Sequence, residues 1–223
     1  MIYSPLEQFN IITLIPLHSG NVYYSFTNSS LYMLLVVGLV LSLFQMVTAE
    51  GGRIVPSRWQ SVVEMIYTFV CDLVEGQVGK AGRAYFPFIF TVFSFILFSN
   101  LIGMVPYSFT VTSHFVVTFG LSISLFIGLT LIGIYTHGLH FLSFFWPSGA
   151  PIAMAPLLVV LEIVSYCFRP LSLGVRLFAN MMAGHTLVKI LSGFSWTMLG
   201  VGGLLGVASI FPFGVVFALT GLE

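Results

Sequence analysis

Hydrophobic positions along this chain fall into long runs, broken only by short polar, proline or glycine interruptions. Residues 1–30 are mixed, with Pro5, Pro16 and the polar run Thr27-Asn28-Ser29-Ser30. They read as a short surface segment, and Ser30 is placed to cap the helix that follows. Leu31 to Thr48 is an apolar run of 18 residues, near the lower limit for a membrane span. Glu50-Gly51-Gly52-Arg53 and Pro56 break it. From Ser57 to Val78 the pattern changes: Gln60, Glu64, Thr68 and Asp72 recur every four residues, with Val63, Ile66, Val70 and Leu73 as an apolar stripe. This predicts an amphipathic helix lying in the interface plane, with packing on a neighbouring subunit as the alternative. Gly76, Gly79 and Gly82, with Lys80 and Arg83, form the next break. Phe86–Val105 and Phe115–Tyr135 are two further spans, and Thr136 to Gly149 is an aromatic-rich loop.

The last third is unusual. Ile152 to Leu191 is one apolar helical pattern interrupted by Pro156 and Pro170, and Phe194 to Glu223 is another, containing Pro212. The first is about 40 residues, or ~60 Å of helix against a hydrocarbon thickness of ~30 Å. It is expected to tilt steeply, to bend, or to be two helices. The predicted fold is an all-α polytopic membrane protein, one membrane domain over residues 1–223. It has an N-terminal span (31–48), an interfacial amphipathic helix (57–78), helices at 86–105 and 115–135, and long tilted helices at 152–191 and 194–223.

Composition agrees. The chain is 58% hydrophobic and 6% charged, with mean hydropathy +1.06, whereas a soluble domain carries about 25% charged residues. Net charge is zero, which argues against nucleic acid as a partner. Cys71 and Cys167 lie in apolar helical stretches and read as small core residues. The first basic residue is Arg53, so no basic signal or Arg-rich transit pattern opens the chain, and insertion is expected to rely on the spans. Arg53, Arg58, Lys80 and Arg83, four of the seven basic residues, fall between the first two spans. That places the 49–85 connection inside and the N-terminus outside.

Against this background two arginines stand out. A guanidinium at a membrane centre costs about 2.5–3.5 kcal/mol even on insertion scales, yet Arg169 and Arg176 both sit within the long pattern. On a helical wheel centred on Arg176, Arg169 lies at about +20°, Glu162 and Asn180 at about +40°, Ser165 at about −20° and Ser172 at about −40°. His185 lies at about 180° and Lys189 at about 220°. The helix thus has a polar strip around Arg176 and a second polar patch on the far side. An arginine cannot ferry protons; it can attract a carboxylate, lower that group's proton affinity and stand as a fixed positive barrier. His185 titrates near physiological pH, and Glu223 and Glu162 are the other titratable groups at depth; such residues mark proton relays by default. Glu162 is nearer to Arg169 than to Arg176 in sequence, so it can neutralise only one of them, and Arg176 is expected to meet a carboxylate from outside the chain. For His185, packing and relay both stay open. Asn180, one turn after Arg176, is expected to orient the guanidinium or its partner. His114, His137 and His140 read as interfacial. No phosphate-binding glycine loop, metal-spaced Cys/His cluster or nucleophile elbow is present in the sequence, so neither cofactor nor metal is expected.

The run Ser172-Leu173-Gly174-Val175-Arg176-Leu177-Phe178-Ala179-Asn180-Met181-Met182-Ala183-Gly184-His185 strongly resembles subunit a of the F-type ATP synthase, the proton-conducting stator of its membrane sector. Ser4-Pro5-Leu6-Glu7-Gln8-Phe9, Ser57-Arg58-Trp59-Gln60 and Asn100 to Phe109 resemble it too. The last of these, together with His185 and Glu223, points to the mitochondrial branch. The resemblance implies a non-catalytic subunit of the mitochondrial inner membrane. Arg176 would face the carboxylates of a rotating c-subunit ring and block a short circuit between two offset half-channels. His185 and Glu223 would relay protons, and Asn180 would stand beside the arginine. It also implies other membrane-sector and peripheral-stalk subunits, and lipid, as partners. The family's final helix continues past the Glu223 position, so the chain is expected to be incomplete there. A self-contained proton-coupled transporter and a passive assembly scaffold are the rival readings.

Overall fold

Among the described residues, four helices are long and apolar enough to cross a membrane: Asn28–Ala49, Gly82–Gly103, Phe115–His137 and Leu157–Gly200. The computed structural model describes residues 4–19, 22–23, 25–49, 51, 54–105, 108–138, 141, 145, 155–201, 206 and 208–222. Glu50, Gly52-Arg53, Pro106-Tyr107, His140, Pro147-Ser148-Gly149 and Glu223 lie outside the described residues. The chain divides into two compact units, residues 7–111 and residues 1–6 with 112–223.

In the first unit, helices α1 (Asn28–Ala49), α2 (Arg58–Val78) and α3 (Phe86–Gly103) pack on one another. Helix α2 starts where the pattern predicts. Ser57 is its N-cap in extended backbone and accepts from the Gln60 N–H, while Gly79, at φ 79°, closes it by donating to the Glu75 carbonyl at 3.1 Å. A positive φ there is the reason for glycine. Val70 and Val74 are buried, and Tyr67 lies edge-on to Phe86 at 4.8 Å. Polar side chains of α2 carry their own bonds: the buried Gln60 donates through Nε2 to Glu64 Oε1 (2.8 Å), and Arg83, beyond the helix end, donates through Nε to Glu75 Oε1 (2.6 Å). Ser57→Ala is expected to remove about 1 kcal/mol from the start of α2. Hydrogen exchange of the amides at 58–61 checks this, with about five-fold faster exchange expected.

The N-terminal segment holds more structure than its mixed composition suggests. Two short antiparallel ladders form, β1 (Thr13–Ile15) with β4 (Phe26–Thr27), and β2 (His18–Ser19) with β3 (Val22–Tyr23). Asn28 ties this segment to α1. Its carboxamide accepts from the Ile12 N–H (3.3 Å) and donates to the Asn10 carbonyl (3.2 Å). Ser30 lies inside α1 instead of before it. Its hydroxyl reaches back, accepting from the Thr27 N–H (3.0 Å) and donating to the Thr27 carbonyl (2.7 Å), the returning half of a capping box.

The second unit is built from α4 (Phe115–His137), α5 (Ala155–Val201) and α6 (Ile210–Leu222). Two expectations need correction. The break between 191 and 194 is absent: α5 runs through it for 47 residues. The Ser192 and Thr197 hydroxyls donate to the Lys189 and Phe194 carbonyls within the helix (3.0 and 2.8 Å), and one glycine costs only about 1 kcal/mol against alanine. Residues 194–201 therefore belong to α5, and the last helix begins at Ile210. Pro212 then falls in the first turn of α6, where its missing N–H costs nothing. At about 70 Å, α5 exceeds twice the ~30 Å hydrocarbon thickness and fits a membrane only when steeply inclined or bent. Helix α6 returns against its end, where the Ser195 hydroxyl donates to the Ser209 carbonyl (3.3 Å).

Candidate functional site

The orientation of Arg176 is decided two residues earlier. Gly174 is buried against α4, and a Cβ there would lie 3.2 Å from the Phe119 Cα, 3.3 Å from the Ser122 Cβ and 3.4 Å from the Thr118 carbonyl oxygen. A Cβ there would be tighter than most side-chain contacts, so glycine lets the two helices approach this closely without a shift. Two residues turn a helix by about 200°, so seating Gly174 on α4 sends Arg176 to the opposite side. Other contacts hold the same register. The buried Ser122 hydroxyl donates to the Pro170 carbonyl. Phe115 meets Phe178 edge-on at 5.7 Å. Thr130 and Tyr166 share a 2.9 Å hydroxyl–hydroxyl hydrogen bond. Thr118, Ser122 and Thr130 mark one side of α4 with small hydroxyl groups within an apolar helix, with Phe126 between the last two at the same four-residue spacing. That spacing was the legible signal for the α5-facing side of α4.

The burial pattern of α5 follows from this clamp. Pro170, Gly174 and Met181 are buried, and His185 and Lys189 are half-buried, around the side that α4 covers. Ser165, Arg169, Ser172, Arg176, Ala179, Asn180 and Ala183 are exposed along the opposite side, with Glu162 half-buried at its edge. The structure therefore brings Arg169, Ser172, Arg176 and Asn180 onto one open face and sets His185 and Lys189 away from it. Among the described residues Arg176 has no ion pair or hydrogen-bonding side chain, and Asn180 makes no hydrogen bond to it. An always-charged guanidinium in a membrane segment is costly to leave without a partner.

Arg169 departs from expectation. It makes no salt bridge with Glu162; its Cζ lies over the Tyr166 ring, 5.6 Å from the centroid. Among the described residues the one ion pair is Arg83–Glu75, at 2.5 Å. Tyr166, Thr130, Ser122 and Gly174 are site residues that the sequence reading did not single out. Of the interfacial histidines, His137 ends α4 and is exposed, whereas His114 precedes α4 and burial pushes its imidazole below the ordinary range. Among the described residues no group of three metal-ligating side chains occurs.

A family model described as ATP synthase A chain matches residues 30–223. The chain is 63% identical to ATP synthase subunit a of Marchantia polymorpha over 226 residues, covering 100% of this chain and 90% of the relative. It is 59% identical to ATP synthase subunit a of Oenothera berteroana over 227 residues, covering 99% and 81%. It is 58% identical to ATP synthase subunit a of Vicia faba over 226 residues, covering 99% and 78%.

Proposed function

From the premise that the chain belongs to the ATP synthase A chain family, we propose that it forms two offset proton half-channels against a rotating ring of c subunits. A member of this family is a non-catalytic proton-channel subunit of the ATP synthase membrane sector, working with the rest of that complex. In the proposed reading, a proton enters one half-channel through His185 and Glu223 and neutralises a ring carboxylate. The ring carries it round and releases it beside the Glu162 end of α5. Arg176 attracts each deprotonated carboxylate, keeps its proton affinity low and bars direct passage between the half-channels. Asn180 orients that contact, and Arg169, Ser172 and Lys189 supply secondary polarity. The membrane is the mitochondrial inner membrane, crossed several times, with lipid and peripheral-stalk subunits as further neighbours.

The observation that supports this most strongly is the open face of α5, which carries Arg176, without an ion-pair or hydrogen-bond partner among the described residues, turned away from α4 by Gly174. Crosslinking in the assembled complex tests it. Leu173→Cys lies on the Arg176 face and is expected to crosslink to a cysteine placed one turn from the ring carboxylate. The native Cys167, exposed on the far side of α5, is expected not to. Crosslinks from Cys167 and none from Leu173→Cys would refute the reading.

A further inference from the structure

Tyr166 is held more firmly than a membrane-facing tyrosine needs to be. Its ring lies 4.9 Å from Phe126, 6.3 Å from Phe141 and 5.5 Å from Phe145, the last two edge-on. Its hydroxyl is hydrogen-bonded to Thr130 Oγ1 at 2.9 Å. Three rings and one hydrogen bond from other parts of the unit thus fix both its plane and its tip. The guanidinium of Arg169 rests over that ring. A cation on an aromatic face, away from bulk water, is held by the ring's negative quadrupole without being neutralised. An ion pair with Glu162 would hold Arg169 too, but would cancel its charge. The arrangement fixes the position of the guanidinium and leaves its full charge in place.

Arg169 is exposed on the same side of α5 as Arg176, seven residues away, or about 10 Å along the axis. Resting on the ring reading above, we propose that Tyr166 and Thr130 are positioning residues. They hold Arg169 as a second fixed cation beside the path of the ring carboxylates, where it lowers their proton affinity before they reach Arg176. The charged and titratable groups around it are few. On α5 they are Glu162 and Tyr166 before it and Arg176 after it. On α4, the residues packed on Tyr166 are the uncharged Thr130 and Phe126, and the titratable Tyr135 and His137 lie five and seven residues past Thr130 at an exposed end. At an effective dielectric constant of ~20, a unit charge at ~10 Å moves a carboxylate's proton affinity by about one pH unit.

The test uses the whole ATP synthase in sealed membrane vesicles, with proton-driven ATP synthesis measured against the pH of the compartment that receives the protons. Removing the cation lets the carboxylates hold protons more tightly, so release needs a higher pH. Arg169→Gln is expected to move the acid limb of the profile up by about one pH unit, and Arg169→Lys is expected to restore most of the native position. Tyr166→Leu is expected to move it the same way by less, and Tyr166→Phe, which keeps the ring and loses the Thr130 bond, by least. A structural loss alone lowers the amount of enzyme and leaves the pH limb where it was. A native limb in Arg169→Gln overturns the proposal. If that variant does not assemble, a native limb in Tyr166→Leu overturns it equally. Neither result touches the ring reading, which the Leu173→Cys crosslink and coupled synthesis in Arg176→Ala test separately.

Discussion

Replacing Arg176 with alanine is expected to lower proton-driven ATP synthesis by a factor on the order of 100 or more, with the assembled complex present in normal amount. A guanidinium meeting a carboxylate at ~4 Å in an effective dielectric of ~20 contributes about 4 kcal/mol, and the open face of α5 offers no second group at that position. On the proposed reading, a ring carboxylate approaching the barrier then has no counter-charge, and it is expected to hold its proton and carry it back. The vesicles are therefore also expected to leak protons passively. Arg176→Lys is expected to fail nearly as completely. A lysine keeps the charge but lacks the planar fork that meets a carboxylate with two parallel hydrogen bonds, and its ammonium loses its proton more readily in apolar surroundings. Synthesis and leak measured in the same vesicles check this, alongside native gels for assembly. Normal coupled synthesis in Arg176→Ala would remove the barrier role and favour a scaffold whose arginines serve packing.

The second large effect is expected at Gly174, which makes no polar contact and carries no charge. Gly174→Val places a branched side chain where even a Cβ lies 3.2 Å from the Phe119 Cα and 3.3 Å from the Ser122 Cβ. The nearest neighbour is backbone, which cannot swing aside, so α5 must move away from α4 or turn. Overpacking of this kind costs about 1–3 kcal/mol, and each residue of slip turns Arg176 by about 100°. Gly174→Val is expected to lower coupled synthesis at least ten-fold per assembled complex and to reduce assembly. Gly174→Ala needs a shift of only a few tenths of an ångström and is expected to retain most activity. Native assembly and coupling in Gly174→Val would show that this close approach does not set the aim of Arg176.

The polar strip of α5 was legible because it is a property of one helix. Residues 165, 169, 172, 176 and 180 share a side at 3.6 residues per turn wherever that helix packs. His185 was placed on the far side for the same reason. The pairing of Glu162 with Arg169 was misjudged because sequence distance along α5 ignored α4. Thr130 and Phe126 bring Tyr166 to a fixed plane, and Arg169 settles on it. The break at residues 192–193 was misjudged because a serine and a glycine can end a helix or continue it, depending on whether their hydrogen bonds close within it.

Hydropathy and helical period are local, so the residues alone determined that this chain lives in a membrane and which side chains share a face with Arg176. Which of those faces stays open was decided by contacts between residues far apart in the chain, as Ser122 is from Pro170 (48 positions) and Thr130 from Tyr166 (36 positions). A helix can present any side to a neighbour until a particular close approach selects one. Here the missing side chain of Gly174 selects it, and Arg176 is turned away from α4 onto the exposed side of α5.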